Sequence, residues 1–206
     1  MTIIDGEGNC LKTSLITCDK KEVIAQVIEK SPCNLESHLN IILAQGMLKG
    51  EKMDMVIQKT TELGVKEILP IITERSQIRE TRKLDRWRKI AEEASRQSGR
   101  SVVPLLHEPV AFKDIFSIHT SRVLPRGFIL YEEGGRKLSE VCSSFVPRPL
   151  SFLTVIGPEG GFTKEEVNLA EEKGLHVTSL GRRILRAETA AISAVTLIQF
   201  LLGDMG

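Results

Sequence analysis

From residue 39 onward, short apolar runs alternate with segments whose apolar residues recur every three or four positions. Residues 39–44 form an apolar run of strand length. Residues 51–63 place Met53, Val56, Ile57, Thr60 and Leu63 on one stripe and end at Gly64, a pattern that predicts a helix with a glycine stop. By the same periodicities, strands are predicted at 65–72, 102–106, 127–131 and 152–156, with a short one centred on Val177. Helices are predicted at 84–97, 110–118 and 137–143. Pro70 argues for the end of its strand rather than the centre. Residues 162–174 carry a capping box, Thr163 and Glu166, a hydrophobic staple, Phe162 and Val167, and a closing glycine, Gly174. The last predicted helix, 188–202, is apolar around most of its circumference and is expected to be buried on several sides, partly against a second subunit. Strands alternating with helices imply a parallel sheet covered on both faces, with ligands bound beyond the carboxyl ends of the strands.

The first 38 residues follow a different pattern. Two β-rich runs, 10–17 and 22–28, flank the polar turn 18–21, with Val23, Ala25 and Val27 on one side. This predicts a hairpin with one half-buried face. Three strands at most cannot close a barrel, so the segment is expected to lean on the rest of the chain or to be the remnant of a larger domain. Residues 31–34 are the expected linker.

The length of 206 residues suits one domain, or one with a small appendage. With 41% hydrophobic and 27% charged residues the chain does not have the composition of a disordered protein. A formal net charge of +1 neither requires nor excludes a nucleic-acid partner, so the distribution matters more. Segment 1–38 holds four basic and six acidic residues, whereas 74–100 holds nine basic and five acidic. That local excess suggests a surface for a phosphate backbone, with Arg75, Arg79, Arg82, Arg96 and Arg100 as candidate RNA contacts; for the outer arginines an ordinary solvated helix face is an equal reading. Trp87 reads as a core anchor. Glu93, Arg96 and Gln97 share one helix face. No apolar stretch reaches the length of a membrane span, and the start lacks a signal-peptide pattern, so a cytoplasmic location is expected. Cys10, Cys18, Cys33 and Cys142 match no zinc spacing and are predicted to be free thiols in a reducing compartment. His38, His107, His119 and His176 are scattered, and no metal is expected.

Two stretches carry candidate chemistry. Residues 156–162, IGPEGGF, follow an apolar strand and open the capped helix. Three glycines let backbone approach a ligand and present N–H groups, and Pro158 stiffens the loop. Neither the dinucleotide fingerprint nor the P-loop ending is present. Residues 179–190, SLGRRILRAETA, mix apolar residues with three arginines beside the start of the last helix, which Glu188 or Thr189 is expected to cap. Arg186 either pairs with Glu188 or Glu159 or faces an anionic substrate. No Ser-His-Asp set stands out.

Taken in order, these motifs resemble one family. The chain is similar to the RsmE family of bacterial 16S ribosomal RNA uridine N3-methyltransferases, within the SPOUT superfamily. The resemblance spans essentially the whole chain and rests on AQGMLKGEKMDMVIQKTTELG from residue 44, ERS at 74–76, EEASRQSGR at 92–100, IGPEGGF and SLGRRILRAETA. It implies an α/β fold with a knotted parallel sheet and helices on both faces, a deep C-terminal trefoil knot over 39–206, and a partial PUA-like β segment over 1–38. It implies S-adenosyl-L-methionine as cofactor, a homodimer, and 16S rRNA of the small subunit as substrate. Cofactor contacts implied by position are Leu130, Tyr131, Glu132, Ile156, Gly157, Pro158, Glu159, Gly160, Gly161, Leu180, Gly181, Ile184, Leu185 and Arg186. Arg186, Glu188 and Glu93 are the candidate catalytic residues. The alternatives are another SPOUT enzyme acting on a ribose 2′-hydroxyl or a tRNA base, a non-catalytic RNA-binding protein, and a knotted dimer without activity.

Overall fold

In the computed structural model, which describes residues 1–33, 35–118, 126–145 and 151–206, the chain builds two sheets. The first is an antiparallel meander of β1 (Thr2–Ile4), β2 (Asn9–Cys18) and β3 (Val23–Pro32). The second has eight parallel-paired strands. They are β4 (Asn40–Gly46), β5 (Glu67–Ile72), β6 (Leu105–Leu106), β7 (Val110–Ala111), β8 (Arg126–Leu130), β9 (Arg136–Lys137), β10 (Ser151–Ile156) and β11 (His176–Ser179). Their order is β6-β5-β4-β10-β8-β11-β9, with β7 also on β5.

Alternate residues of the central strands serve two cores. Ile41 and Leu43 of β4 face one cluster, whose helical members come from α1 (Lys52–Glu62), α2 (Leu84–Ser98), α4 (Leu138–Ser143) and α6 (Ala187–Leu201). Ile42 and Ala44 face the other, built with Phe112, with Ile115 of α3 (Ile115–Ile118) and with Val167 and Ala170 of α5 (Lys164–Glu172). Both faces are therefore covered, as continuous apolar strand runs require. Trp87 is buried against α1, its indole N–H donating to Asp54 Oδ1 at 2.9 Å. The capping box forms as expected: Thr163 Oγ1 accepts from Glu166 N at 3.2 Å, and Glu166 Oε2 accepts from Thr163 N at 2.9 Å.

Several boundaries differ from expectation for identifiable reasons. Pro70 lies inside β5, but β6 pairs with Glu67 and Ile68 and β7 with Ile71 and Ile72. The residue without an N–H thus falls in the interval between two partners. Of 102–106 only Leu105 and Leu106 join the main sheet, because Val102 bridges Glu7 instead. The helix predicted over 110–118 begins as β7, since the edge of β5 is open there, and continues as a 3-10 turn, Phe112–Asp114, before α3. The N-cap position of the last helix is Arg186, without a side-chain cap, rather than Glu188 or Thr189, because the Arg186 carbonyl already accepts from Ala190 N at 2.8 Å. Ser31 and Pro32 prolong β3 rather than linking two units; Asn34 and His119 lie outside the described residues.

The N-terminal sheet departs most. Leu15, Ile16, Val23, Ile24, Val27 and Ile28 are all exposed, and only Ala25 of the expected inner face is partly covered. No second layer packs on this hairpin among the described residues. It is held at its base, where Gly8 N donates to the Ser101 carbonyl at 2.8 Å and Val103 N to the Gly6 carbonyl at 3.2 Å. Two of the cysteines predicted to be free are joined: Cys10 and Cys33 form a disulfide. The antiparallel register sets Cys10 opposite Ser31 and so brings Cys33 within reach, with a Cα–Cα separation of 5.3 Å. Cys18 and Cys142 are free.

Candidate active site

Four segments leave the carboxyl ends of neighbouring strands on the same edge of the parallel sheet: 47–52 after β4, 131–132 after β8, 157–162 after β10 and 180–186 after β11. They enclose a cavity of about 580 Å³, within the range of small-molecule sites. Leu130, Tyr131, Glu132, Ile156, Gly157, Pro158, Glu159, Gly161, Leu180, Gly181, Ile184, Leu185 and Arg186 all line it. Of the residues expected at the cofactor, Gly160 alone is turned away: a Cβ there would lie 3.0 Å from Arg75 Cβ, outside the cavity. Gly161 faces inward at φ +67°, where any side chain would collide with the Glu132 carboxylate. Phe162, Ser179, Arg182, Arg183, Ala187 and Ala190, from the same two stretches, also line the space, as does Lys52, which was not among the residues expected at the cofactor.

The electrostatics are uneven. Glu159 does not pair with Arg186. It accepts from Lys52 Nζ at 3.1 Å and from Lys49 N at 3.2 Å. Burial opposes its ionisation, but these hydrogen bonds outweigh burial and hold the carboxyl below its usual range. Burial and the neighbouring carboxylates of Glu133 and Glu132 push the Tyr131 phenol up. Arg182, Arg183 and Arg186 are exposed, and none makes an ion pair among the described residues. Glu188 lines the cavity, and its Oε2 is buried without a hydrogen-bond partner among the described residues. Apolar walls beside glycine backbone suit a small ligand that carries both apolar and polar groups.

The other candidates separate. Glu93 sits on the exposed face of α2 and does not line the cavity. Arg79, Arg82 and Arg96 are exposed; Arg79 Nη2 donates to the Glu74 carbonyl at 3.0 Å. Arg75 is exposed too, but its Nη1 donates to the Gly160 carbonyl at 3.2 Å, so it braces the glycine loop. Arg100 must be removed from the RNA-contact set. It is buried, with Nη2 2.8 Å from Glu36 Oε2 and Nη1 donating to the Thr61 and Val65 carbonyls at 2.9 and 2.8 Å. A guanidinium whose donors are satisfied inside the protein offers no charge to a phosphate.

Gln45, which the sequence did not single out, lies behind the glycine loop, fully buried at the end of β4. Its Nε2 donates to the Gly157 carbonyl at 3.3 Å.

A family model described as an RNA methyltransferase domain matches residues 35–199. The ribosomal RNA small subunit methyltransferase E of Bacillus subtilis is 34% identical over 204 residues, covering 94% of this chain and 78% of the relative. That of Mesomycoplasma hyopneumoniae is 33% identical, covering 84% of this chain and 74% of the relative. Among solved structures, a ribosomal RNA small subunit methyltransferase E from Neisseria gonorrhoeae bound to S-adenosyl methionine superposes with a TM-score of 0.88 at 33% identity. It covers all of this chain, which spans 84% of that structure. A methyltransferase from Legionella pneumophila, in complex with bound SAM, gives 0.85 at 35% identity, with 99% and 84% covered. The family model spans most of the chain, and the relatives and solved structures match it in sequence and in fold: the chain belongs to the RNA methyltransferase family, in its branch of small-subunit ribosomal RNA methyltransferases E.

Proposed function

We propose that the protein methylates N3 of a uridine in 16S ribosomal RNA of the small subunit, with S-adenosyl-L-methionine as methyl donor. The observation that carries this reading is the single cavity in which thirteen of the fourteen residues expected at the cofactor meet, in a chain that matches relatives solved with that molecule bound. Leu130, Ile156, Leu180, Ile184 and Leu185 supply apolar walls for an adenine ring, and the backbone of 157–161 and 180–186 supplies its polar contacts. The bound cofactor supplies an electrophilic methyl group, so no metal is required for the transfer.

N3 of uracil is a poor nucleophile until its proton leaves, and the charge then spreads over the flanking carbonyl oxygens. Glu188, which lines the cavity and has one carboxylate oxygen buried and unpartnered among the described residues, is the group we assign to take that proton. Arg186, which makes no ion pair among the described residues and lies close to Glu188 in sequence, stabilises the developing anion. Arg79, Arg82 and Arg96 remain as phosphate contacts on the outer surface.

The strand order supports a trefoil knot in 39–206: β8 lies between β10 and β11, and the chain after β11 returns to pack α6 on β10 and α1. The meander over 1–38 corresponds to part of a PUA-like domain. A homodimer through α6 accounts for the exposed Leu197 and Phe200. The place of action is the cytoplasm, where its substrate is assembled; no helix of the described residues is long and apolar enough to cross a membrane.

The test is methyl transfer from labelled S-adenosyl-L-methionine to isolated small subunits, with nucleoside analysis. 3-Methyluridine is expected; a ribose-methylated product, or cofactor binding without transfer, would overturn the reading. Arg186→Ala should lower the single-turnover rate at saturating RNA by roughly 100-fold, about 2.7 kcal/mol, with RNA affinity retained.

A further inference from the structure

The end of β4 and the glycine loop after β10 are locked together by two adjacent residues. Gln45 pairs in register with Ile156 on β10, so its side chain lies directly behind the loop that begins at Gly157. Its Nε2 donates to the Gly157 carbonyl at 3.3 Å and to the Gly46 carbonyl at 3.0 Å. The orientation of the amide follows from these partners, because the flipped form would set its oxygen against two carbonyls. Next to it, Gly46 touches the loop with its backbone. A Cβ there would overlap the Pro158 nitrogen and lie 2.6 Å from Pro158 Cδ. Gly157 and Pro158 both line the cavity, whereas Gln45 does not.

Packing alone does not explain a glutamine here. The side chain is fully buried, and its Oε1 has no hydrogen-bond partner among the described residues. A buried, unsatisfied acceptor is destabilising, and an apolar side chain of the same length would avoid it. What the glutamine adds is a pair of donors that join two backbone segments 112 residues apart. Because β4 is central in the sheet, paired on both sides, it is a rigid support from which to set the height of a loop.

We propose that Gln45 is a positioning residue for methyl transfer: through the Gly157 carbonyl it holds the 157–161 loop in place, and so fixes how the cofactor lies in the cavity. This rests on the cavity being the S-adenosyl-L-methionine site. Gly46 has the complementary part, admitting the loop to the surface against which Gln45 holds it.

The experiment compares wild-type protein with Gln45→Met, which keeps length and removes both donors, and with Ile68→Val, a core change away from the cavity. Calorimetry with S-adenosyl-L-methionine, apo-protein melting and single-turnover methylation at saturating cofactor and RNA are measured on each. Gln45→Met is expected to weaken cofactor binding roughly tenfold, the scale of one lost hydrogen bond, and to lower the saturated rate. Ile68→Val should change melting alone. Cofactor affinity and rate both within twofold of wild type would overturn the proposal, as would an equal loss in Ile68→Val. Should Gln45→Met fail to fold, the side-chain amide resonance of Gln45 in wild-type protein decides. It should shift on titration with S-adenosylhomocysteine, with the calorimetric affinity; a stationary resonance beside a shifting Gly157 amide would overturn the positioning role. Wild-type protein that binds no cofactor would overturn the reading of the cavity itself, a result distinct from a variant that binds normally.

Discussion

At the scale of single residues, the pairing of charges decides what each one does. Arg100 and Arg79 are both arginines of the basic 74–100 segment, yet one is a buried strut and the other an exposed cation. Glu36 shows why. Its carboxylate accepts from Arg100 Nη2 at 2.8 Å, Lys66 Nζ at 2.7 Å and Ser101 N at 2.9 Å. Burial pushes the Glu36 carboxyl up, but the hydrogen bonds from Arg100 and Lys66 outweigh it and hold the group at about 2. Its folded value lies below its ordinary value of 4.5, so its contribution to stability is fully present above pH 4.5 and is lost as pH falls toward 2. Arg100→Ala would remove the guanidinium donors to Glu36 and to the Thr61 and Val65 carbonyls, while Lys66 and Ser101 still hold the carboxylate. We expect a loss of about 1–3 kcal/mol, read from urea unfolding at neutral pH, and a flatter stability curve through the acid window. An unchanged midpoint would show that the cluster contributes nothing net.

At the scale of elements, the most local signals were the most faithful. The capping box of α5 joins residues three apart, and every donor and acceptor it needs lies within one turn. Glu166 does more than cap: its Oε1 also accepts from Glu74 N at 2.8 Å, tying the start of α5 to the turn after β5. Thr163→Ala removes only the acceptor for the Glu166 N–H and should cost about 1 kcal/mol by thermal unfolding, leaving cofactor affinity within twofold. Elements whose ends depend on partners were harder to delimit. β7 and β9 are two residues long and exist because β5 and β11 have an open edge beside them.

At the scale of the whole molecule, exposed apolar surface is the main feature. A compact monomer of this mass would expose roughly 9,600 Å²; this chain exposes 11,788 Å². Part of the excess is the β2–β3 hairpin, whose apolar residues face solvent on both sides. Another part is α6, with Phe200 58% exposed and Leu197 39% exposed on the face away from the core. If α6 forms the dimer contact, Phe200→Asp places an unpaired carboxylate in it, at a cost that should dissociate the subunits. Sedimentation at micromolar concentration is expected to give a dimer for the wild type and a monomer of unchanged helicity for the variant. A wild-type monomer under those conditions would refute the assembly.

The order and type of the main elements, the two covered faces of the parallel sheet, the cap of α5 and the loops that surround the cavity were all legible from the chain of residues. Each of these depends on residues within a turn, or on a periodicity repeated along one segment, so neighbours in the chain specify it. The resemblance to a known family then indicated a ligand for those loops. Only the tertiary structure decided which partner each polar group takes: Arg100 with Glu36 across 64 residues, Gln45 with Gly157 across 112, Lys52 with Glu159 across 107 and Cys10 with Cys33. It also left the hairpin face read as half-buried without a second layer among the described residues. An alternating strand looks the same in sequence whether or not a second layer covers it, and a buried arginine looks the same as an exposed one. Those outcomes depend on which segments the sheet order brings together, and that order is set by the packing of the whole chain.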